Sequence, residues 1–125
     1  MSRRREDGGQ ATAELALVLP VVCLLTLAVV QVALVARAQL LVEHAAREGA
    51  RAAAVDPAPG AAAAAVVAAV PLDPSRLETT VTEAGAGRVR VEVRYRLLTD
   101  VPLIGPLLDD VDLRAATTMR REPAP

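Results

Sequence analysis

The stretch that decides the architecture is Leu15-Ala-Leu-Val-Leu-Pro-Val-Val-Cys-Leu-Leu-Thr-Leu-Ala-Val-Val-Gln-Val-Ala-Leu-Val-Ala36, interrupted only by Pro20, Thr26 and Gln31. As a helix rising about 1.5 Å per residue it reaches roughly 33 Å, close to the hydrocarbon thickness of a bilayer. A secretory signal core holds only about 7–15 apolar residues. The run is too long for that, and it predicts a membrane span retained in the mature chain. The lipid bilayer is thus the first expected partner.

Composition bounds what the remainder can be. The 125 residues leave room for one small domain beside the span. The apolar share of 53% is mostly Ala, Val and Leu, with no Phe or Trp and with Tyr95 as the only aromatic residue. No Lys occurs, so every formal positive charge is Arg, which together with the abundant Ala, Val and Pro indicates a GC-rich bacterial genome. A formal net charge of -1 gives no nucleic-acid footprint. Cys23, the single cysteine, lies inside the apolar run, so a disulfide-stapled secreted domain is excluded.

Outward from the run, Met1 to Gly9 is short, polar and charged, with Arg3, Arg4 and Arg5 ahead of Glu6 and Asp7. Beyond Arg37 a helical pattern continues to Val55, supported by Glu43 and Arg47 in the favourable i,i+4 order. Asp56, Pro57, Pro59 and Gly60 break it. Ala61 to Val70 reads as a second short helix stopped by Pro71 and Pro74.

From Arg76 the period becomes two. Leu77, Thr79 and Val81 alternate with polar neighbours, and Glu83 to Gly87 offers a hairpin connection with glycines for positive φ. Val89, Val91, Val93, Tyr95 and Leu97 share one face, opposite Arg88, Arg90, Glu92, Arg94 and Arg96. A third alternation follows at Val111, Leu113, Ala115, Thr117 and Met119. The expected fold is α+β: a long N-terminal transmembrane helix, a short second helix and a small antiparallel sheet of about three strands. Such a sheet needs a helix on its apolar face, for which Ala61–Val70 is the available candidate. The expected divisions are 1–9 as a leader, 10–55 as the membrane-spanning and extended helix, and 56–125 as an extracytoplasmic module.

No enzyme emerges. Ser2 and Ser75 are the only serines, and His44 is far from any nucleophile, so no triad is available. His44 between Glu43 and Glu48 lacks the further ligand a metal needs. Asp109, Asp110 and Asp112 lack calcium-loop spacing, and no phosphate-binding glycine loop is present. Neither a metal, a cofactor nor a small-molecule substrate is expected.

The most informative segment is Gly8-Gly-Gln-Ala-Thr-Ala-Glu-Leu15. A cut after Gly9 would make Gln10 the first residue and Glu14 the fifth. A carboxylate at the edge of a span is costly, up to about 2.5–3.5 kcal/mol at a helix centre and less near the interface. The freed α-amino group of Gln10, or that of a neighbouring subunit, would compensate it. Otherwise Glu14 is an interfacial carboxylate reaching water.

This arrangement resembles the type IV pilin class, whose members carry a basic leader ending in Gly, a peptidase cut, and Glu as the fifth mature residue. The finer pattern is similar to the TadE-like family. Glu14-Leu-Ala-Leu-Val-Leu-Pro20 matches its acidic residue, apolar stretch and proline. Glu43-His-Ala-Ala-Arg-Glu-Gly-Ala-Arg51 resembles its Ala/Arg/Gly segment, and Ala115-Ala-Thr-Thr-Met-Arg-Arg-Glu122 its closing strand. The main Flp-type pilins are much shorter and carry an aromatic residue where Leu15 stands, which favours a minor pseudopilin of tight-adherence pilus assembly. The resemblance implies a prepilin peptidase and pilin-like membrane proteins as partners. It also implies an N-terminus in the cytoplasm; charge gives a near tie, because Arg37, Arg47 and Arg51 follow the span.

Pro20, Gln31, Ala45, Gly49 and Ala53 are the candidate helix-packing residues. Pro20 either kinks the span or is simply tolerated there. Gln31 can hydrogen-bond another helix, for about 0.6–2 kcal/mol. The rows Ala45, Gly49, Ala53 and Ala46, Ala50, Ala54 permit close helix approach, although genomic Ala bias accounts for them equally. The arginine stripe either meets acidic surface or lipid headgroups, or is a solvated face that protects an edge strand. The apolar Val101–Leu108 loop either docks to something or tucks under the sheet. Two other readings stay open: an anchored envelope interaction module unrelated to pili, and a secreted protein cut by signal peptidase within Ala33–Ala38.

Overall fold

The computed structural model describes residues 3–103 and 105–123. One helix, α1 (Arg3–Val55), runs through Gly8, Gly9 and Pro20 without a break. Its end is set locally. Pro57 disfavours helical backbone at Asp56, and the Asp56 carboxylate turns back to accept from the Ala58 amide at 2.8 Å. Gly60, at φ 90, starts α2 (Ala61–Ala69), which stops where Val70 turns extended before Pro71. Asp73 then caps a short 3-10 turn, accepting from the Ser75 amide and hydroxyl. Those two bonds hold the Asp73 carboxyl below its usual range.

Strands β1 (Leu77–Glu83), β2 (Arg88–Leu97) and β3 (Val111–Arg120) form an antiparallel meander in the order β1-β2-β3. The α+β class and the strands read from alternation are as expected. In the hairpin between β1 and β2, Gly85, Ala86 and Gly87 all take positive φ. On the inner face Val89, Val91 and Val93 are fully buried and Tyr95 nearly so. Val93 lies opposite Ala115, and Tyr95 opposite Leu113.

Two expectations are corrected. The sheet is covered chiefly by α1, not by Ala61–Val70. Ala38, Val42, Ala45, Ala46, Ala50, Ala53 and Ala54 are all buried in one core with the β2 valines, while α2 packs mainly against α1 and reaches the sheet at β1. The reason is size: a helix as short as α2 presents only Ala62 and Val66 as buried residues, with Val70 just past its end, too little to cover a three-stranded face. Second, β2 is the central strand, so its arginines do not protect an edge.

One core joins residues 38–54 of α1 to α2 and the sheet, together the module, and Gly49 lets them meet. A Cβ there would stand 2.7 Å from Val66 Cγ2 and 3.1 Å from Val91 Cγ1. Mid-helix glycine costs about 1 kcal/mol relative to alanine, so the site gives up helix stability for a close approach of three elements. Gly49→Leu is expected to destabilise the module by about 1–3 kcal/mol through overpacking, whereas Ala63→Leu, on the exposed side of α2, stays within about 0.5 kcal/mol. Thermal unfolding of both full-length variants in the same detergent, followed by circular dichroism, checks the difference.

Candidate functional site

The N-terminal part of α1 stands apart from the module. From Glu6 to Val30 every residue but Leu27 is exposed, and the most apolar stretch of the helix has a mean hydropathy of 2.7 with none of it buried. Leu15, Leu17, Val18, Leu19, Val21, Val22, Leu24 and Leu25 are exposed all round the helix. Water does not favour such a surface; the helix is long and apolar enough to cross a membrane and fits a single-pass anchor.

Gly9, Gln10 and Glu14 lie on this exposed segment, touched by no other element. An added Cβ at Gly8 or Gly9 would meet nothing within 4 Å. The Gln10 side-chain amide donates to Glu14 Oε1 at 3.3 Å, and the Thr12 hydroxyl to the Gly8 carbonyl at 2.8 Å. Before any cut, Glu14 therefore has a neutral partner one turn away. Pro20 leaves the helix continuous, and Thr26 satisfies its hydroxyl on the Val22 carbonyl at 2.8 Å.

The other predicted packing residues have a different setting. Ala45, Gly49 and Ala53 are inside the module, against its own strands and α2. Gln31, 8% exposed, is covered by the chain itself. Two open apolar grooves flank it. One, of about 410 Å³, is lined by Leu27, Leu34, Arg37, Leu72, Asp100 and Val101, among others. The second, of about 500 Å³, includes Val32, Val35, Gln39, Thr99, Leu108 and Asp109. The β2–β3 loop thus sits on α1 between them.

The loop does not tuck under the sheet. Val101 is buried, while Leu103, Leu107 and Leu108 are exposed. Its ends are drawn together where the Thr99 hydroxyl donates to the Asp109 carbonyl at 3.1 Å. Gly105 permits the closure, because a Cβ there would lie 2.6 Å from the Thr99 carbonyl oxygen. Thr99 and Gly105 are the positions the sequence did not single out. The one available signal was a glycine between two prolines in an apolar loop.

The outer face of the sheet is charged but not uniformly basic. Arg94 Nε donates to Glu92 at 2.8 Å and Arg96 Nε to Asp110 at 3.2 Å. The Arg94 bond keeps the Glu92 carboxyl below its usual range. Glu78 and Asp112 stand opposite Arg94 and Arg96 on the neighbouring strands. His44 is exposed, and among the described residues no three His, Cys, Asp or Glu side chains group to hold a metal.

Comparison with known proteins agrees with the N-terminal pattern. No curated protein and no solved structure matches the chain. A family model does, that of the TadE-like proteins, which are structural components associated with the tight-adherence pilus. Its match covers Gly9 to Arg51, taking in Glu14–Pro20 and the Glu43–Arg51 segment and stopping short of Ala115–Glu122. Over residues 9–51, then, the chain carries the pattern of the TadE-like family.

Proposed function

We propose that this chain is a minor pseudopilin that acts structurally in tight-adherence pilus assembly. In this reading the N-terminus is cytoplasmic, the module is extracytoplasmic, and a prepilin peptidase cuts after Gly9. The observation that carries it is the division of α1. Residues 38–54 are fixed in the module's core, while residues 6–26, which hold Gly9, Gln10, Glu14 and the first part of the apolar run, are exposed throughout. A helix built this way can lie in lipid first and then pack sideways against pilin-like helices without refolding its domain.

The local chemistry suits a cut at this point. In the helix the Gly9 carbonyl is held in the hydrogen-bond ladder, and a peptidase must unwind that turn to reach it. Gly8 and Gly9 each weaken the helix by about 1 kcal/mol relative to alanine, so unwinding is least costly here. Cleavage would turn the Gln10 nitrogen into an ammonium one turn from Glu14. The neutral side-chain amide is thereby joined by a positive charge, which lowers the cost of keeping a carboxylate at the membrane edge.

Packing of the loop on Gln31 speaks against a secreted protein released near Ala38. That cut would remove Leu27, Gln31 and Leu34 from the groove they share with Val101 and leave that valine facing water. For the unrelated envelope module, no specific observation adds weight.

Intact mass and N-terminal sequencing of the chain from its native membranes test the proposal. The expected first residue is Gln10. A chain that still starts at Met1 or Ser2 beside an active cognate peptidase overturns the cut, and one starting near Ala38 overturns the anchor. With the same peptidase, Gly9→Leu is expected to slow processing about tenfold, equivalent to about 1.4 kcal/mol. Glu14→Ala should still be cut and stay membrane-bound, yet fail to restore surface pili in a strain lacking the native gene, counted by electron microscopy.

A further inference from the structure

We propose that the described residues of the β2–β3 loop, 98–103 and 105–110, dip into the bilayer beside α1, with Leu103, Leu107 and Leu108 entering the acyl-chain region of the leaflet from which the span emerges. This rests on reading α1 as a membrane span. Direction comes first. The Glu122 amide donates to the Ala54 carbonyl at 3.0 Å, and the Gln39 side chain to the Arg114 carbonyl at 3.1 Å. Strand β3 therefore runs alongside α1 in the same sense. The β1–β2 hairpin lies toward the C-terminal end of α1, and the β2–β3 loop lies past Gln39 toward the apolar run.

Depth follows from what the loop touches. It covers Gln31, which at about 1.5 Å per residue is roughly 9 Å below Arg37, the first charge after the run. Apolar segments at a membrane surface reach about 5–10 Å into the headgroup and acyl boundary. Between Asp100 and Asp109 the loop has no charged residue. Leu103 is 71% and Leu107 82% exposed, and Leu108 is exposed beside them.

The charges stop at one level. Asp100 shares a groove with Arg37, and Asp109 shares one with Gln39. Charged or polar groups thus surround the base of the loop where the apolar run of α1 ends, as headgroup contacts would require. Its backbone also suits the site. The Gly105 amide donates to the Val101 carbonyl at 2.7 Å, the Leu108 amide to the Gly105 carbonyl at 3.3 Å, and Pro102 and Pro106 have no N–H to satisfy. Irregular backbone is not tolerated deep in lipid, so side chains enter the acyl region while the loop's main chain stays at the interface.

The chain has no Trp, so one introduced Trp reports a single position. Full-length Leu107→Trp, Leu103→Trp, Leu25→Trp and Ala63→Trp would be reconstituted in phosphatidylcholine–phosphatidylglycerol vesicles. Spin-labelled lipids, with the label near the headgroup or near the methyl end of the acyl chain, quench each. The two loop variants are expected to lose about half their emission to the shallow label, Leu25→Trp to respond to the deep one, and Ala63→Trp to neither. Loop variants quenched only by aqueous acrylamide, with Leu25→Trp still in the bilayer, overturn the proposal and spare the span. Shielding from both lipid and acrylamide means that protein, such as a second copy, covers the loop, and also overturns it. If Leu25→Trp itself responds to no lipid label, the span reading fails and the loop proposal fails with it.

Discussion

The close approach of α1 to the sheet at Gly49 is the constraint on which the rest of this structure depends. The chain lacks Phe and Trp, and its core consists largely of Ala and Val with one Tyr. Small side chains remove little apolar area each, at about 25 cal/mol per Å², and fill space only if the backbones come near. Ala45, Ala46, Ala50, Ala53 and Ala54 give α1 a smooth face. Gly49, with no side chain, lets Val66 of α2 and Val91 of β2 reach that face together. The three fully buried β2 valines then have surroundings at close packing distance instead of a void.

That same helix runs uninterrupted into the apolar run, so the module and the segment long and apolar enough to cross a membrane form one element. A flexible linker would let the domain tumble relative to that segment. Here the orientation of the sheet is set by the helix that carries it, and the end of the sheet nearest the apolar run is fixed as the β2–β3 loop. Burial of Gln31 under that loop extends the coupling. The strongly polar side chain of the run is covered by its own chain, which leaves the apolar surface from Leu15 to Val30 free of it. Any helix packing on that surface meets Leu and Val, with Glu14 as the charge at its edge.

Much of the fold was legible, for physical reasons particular to each element. Alternation in β2 is unambiguous because its outward residues are charged and its inward ones β-branched, and the buried set Val89, Val91, Val93 and Tyr95 follows from it. The β1–β2 hairpin announced itself through Gly85 and Gly87. The helix that covers the sheet was not legible. In α1 beyond Ala38 the buried face is almost entirely Ala, the residue this chain uses everywhere, so it does not stand out as a core face beside larger apolar residues. The Ala rows were seen, but spacing alone cannot distinguish contact with another chain from contact with one's own sheet. Nor could the sequence show that the Val101–Leu108 segment faces along α1, since that depends on the sense of β3 relative to the helix.

The N-terminal segment is the converse case, in which sequence speaks and geometry adds restraint. Gly9, Gln10 and Glu14 are informative because their order before an apolar run limits what they can do, and they lie at the start of the stretch, residues 9–51, that matches the TadE-like family. In the fold these residues touch only one another: Gln10 bonds Glu14, Thr12 bonds the Gly8 carbonyl, and nothing else comes near the glycines. A segment with no tertiary contact gains no stability from the module and loses none by being cut or transferred to another helix. The stability of the domain and the chemistry of the N-terminus are therefore separable along one continuous helix, with the boundary between them near Gln31, where the module's last loop comes to rest.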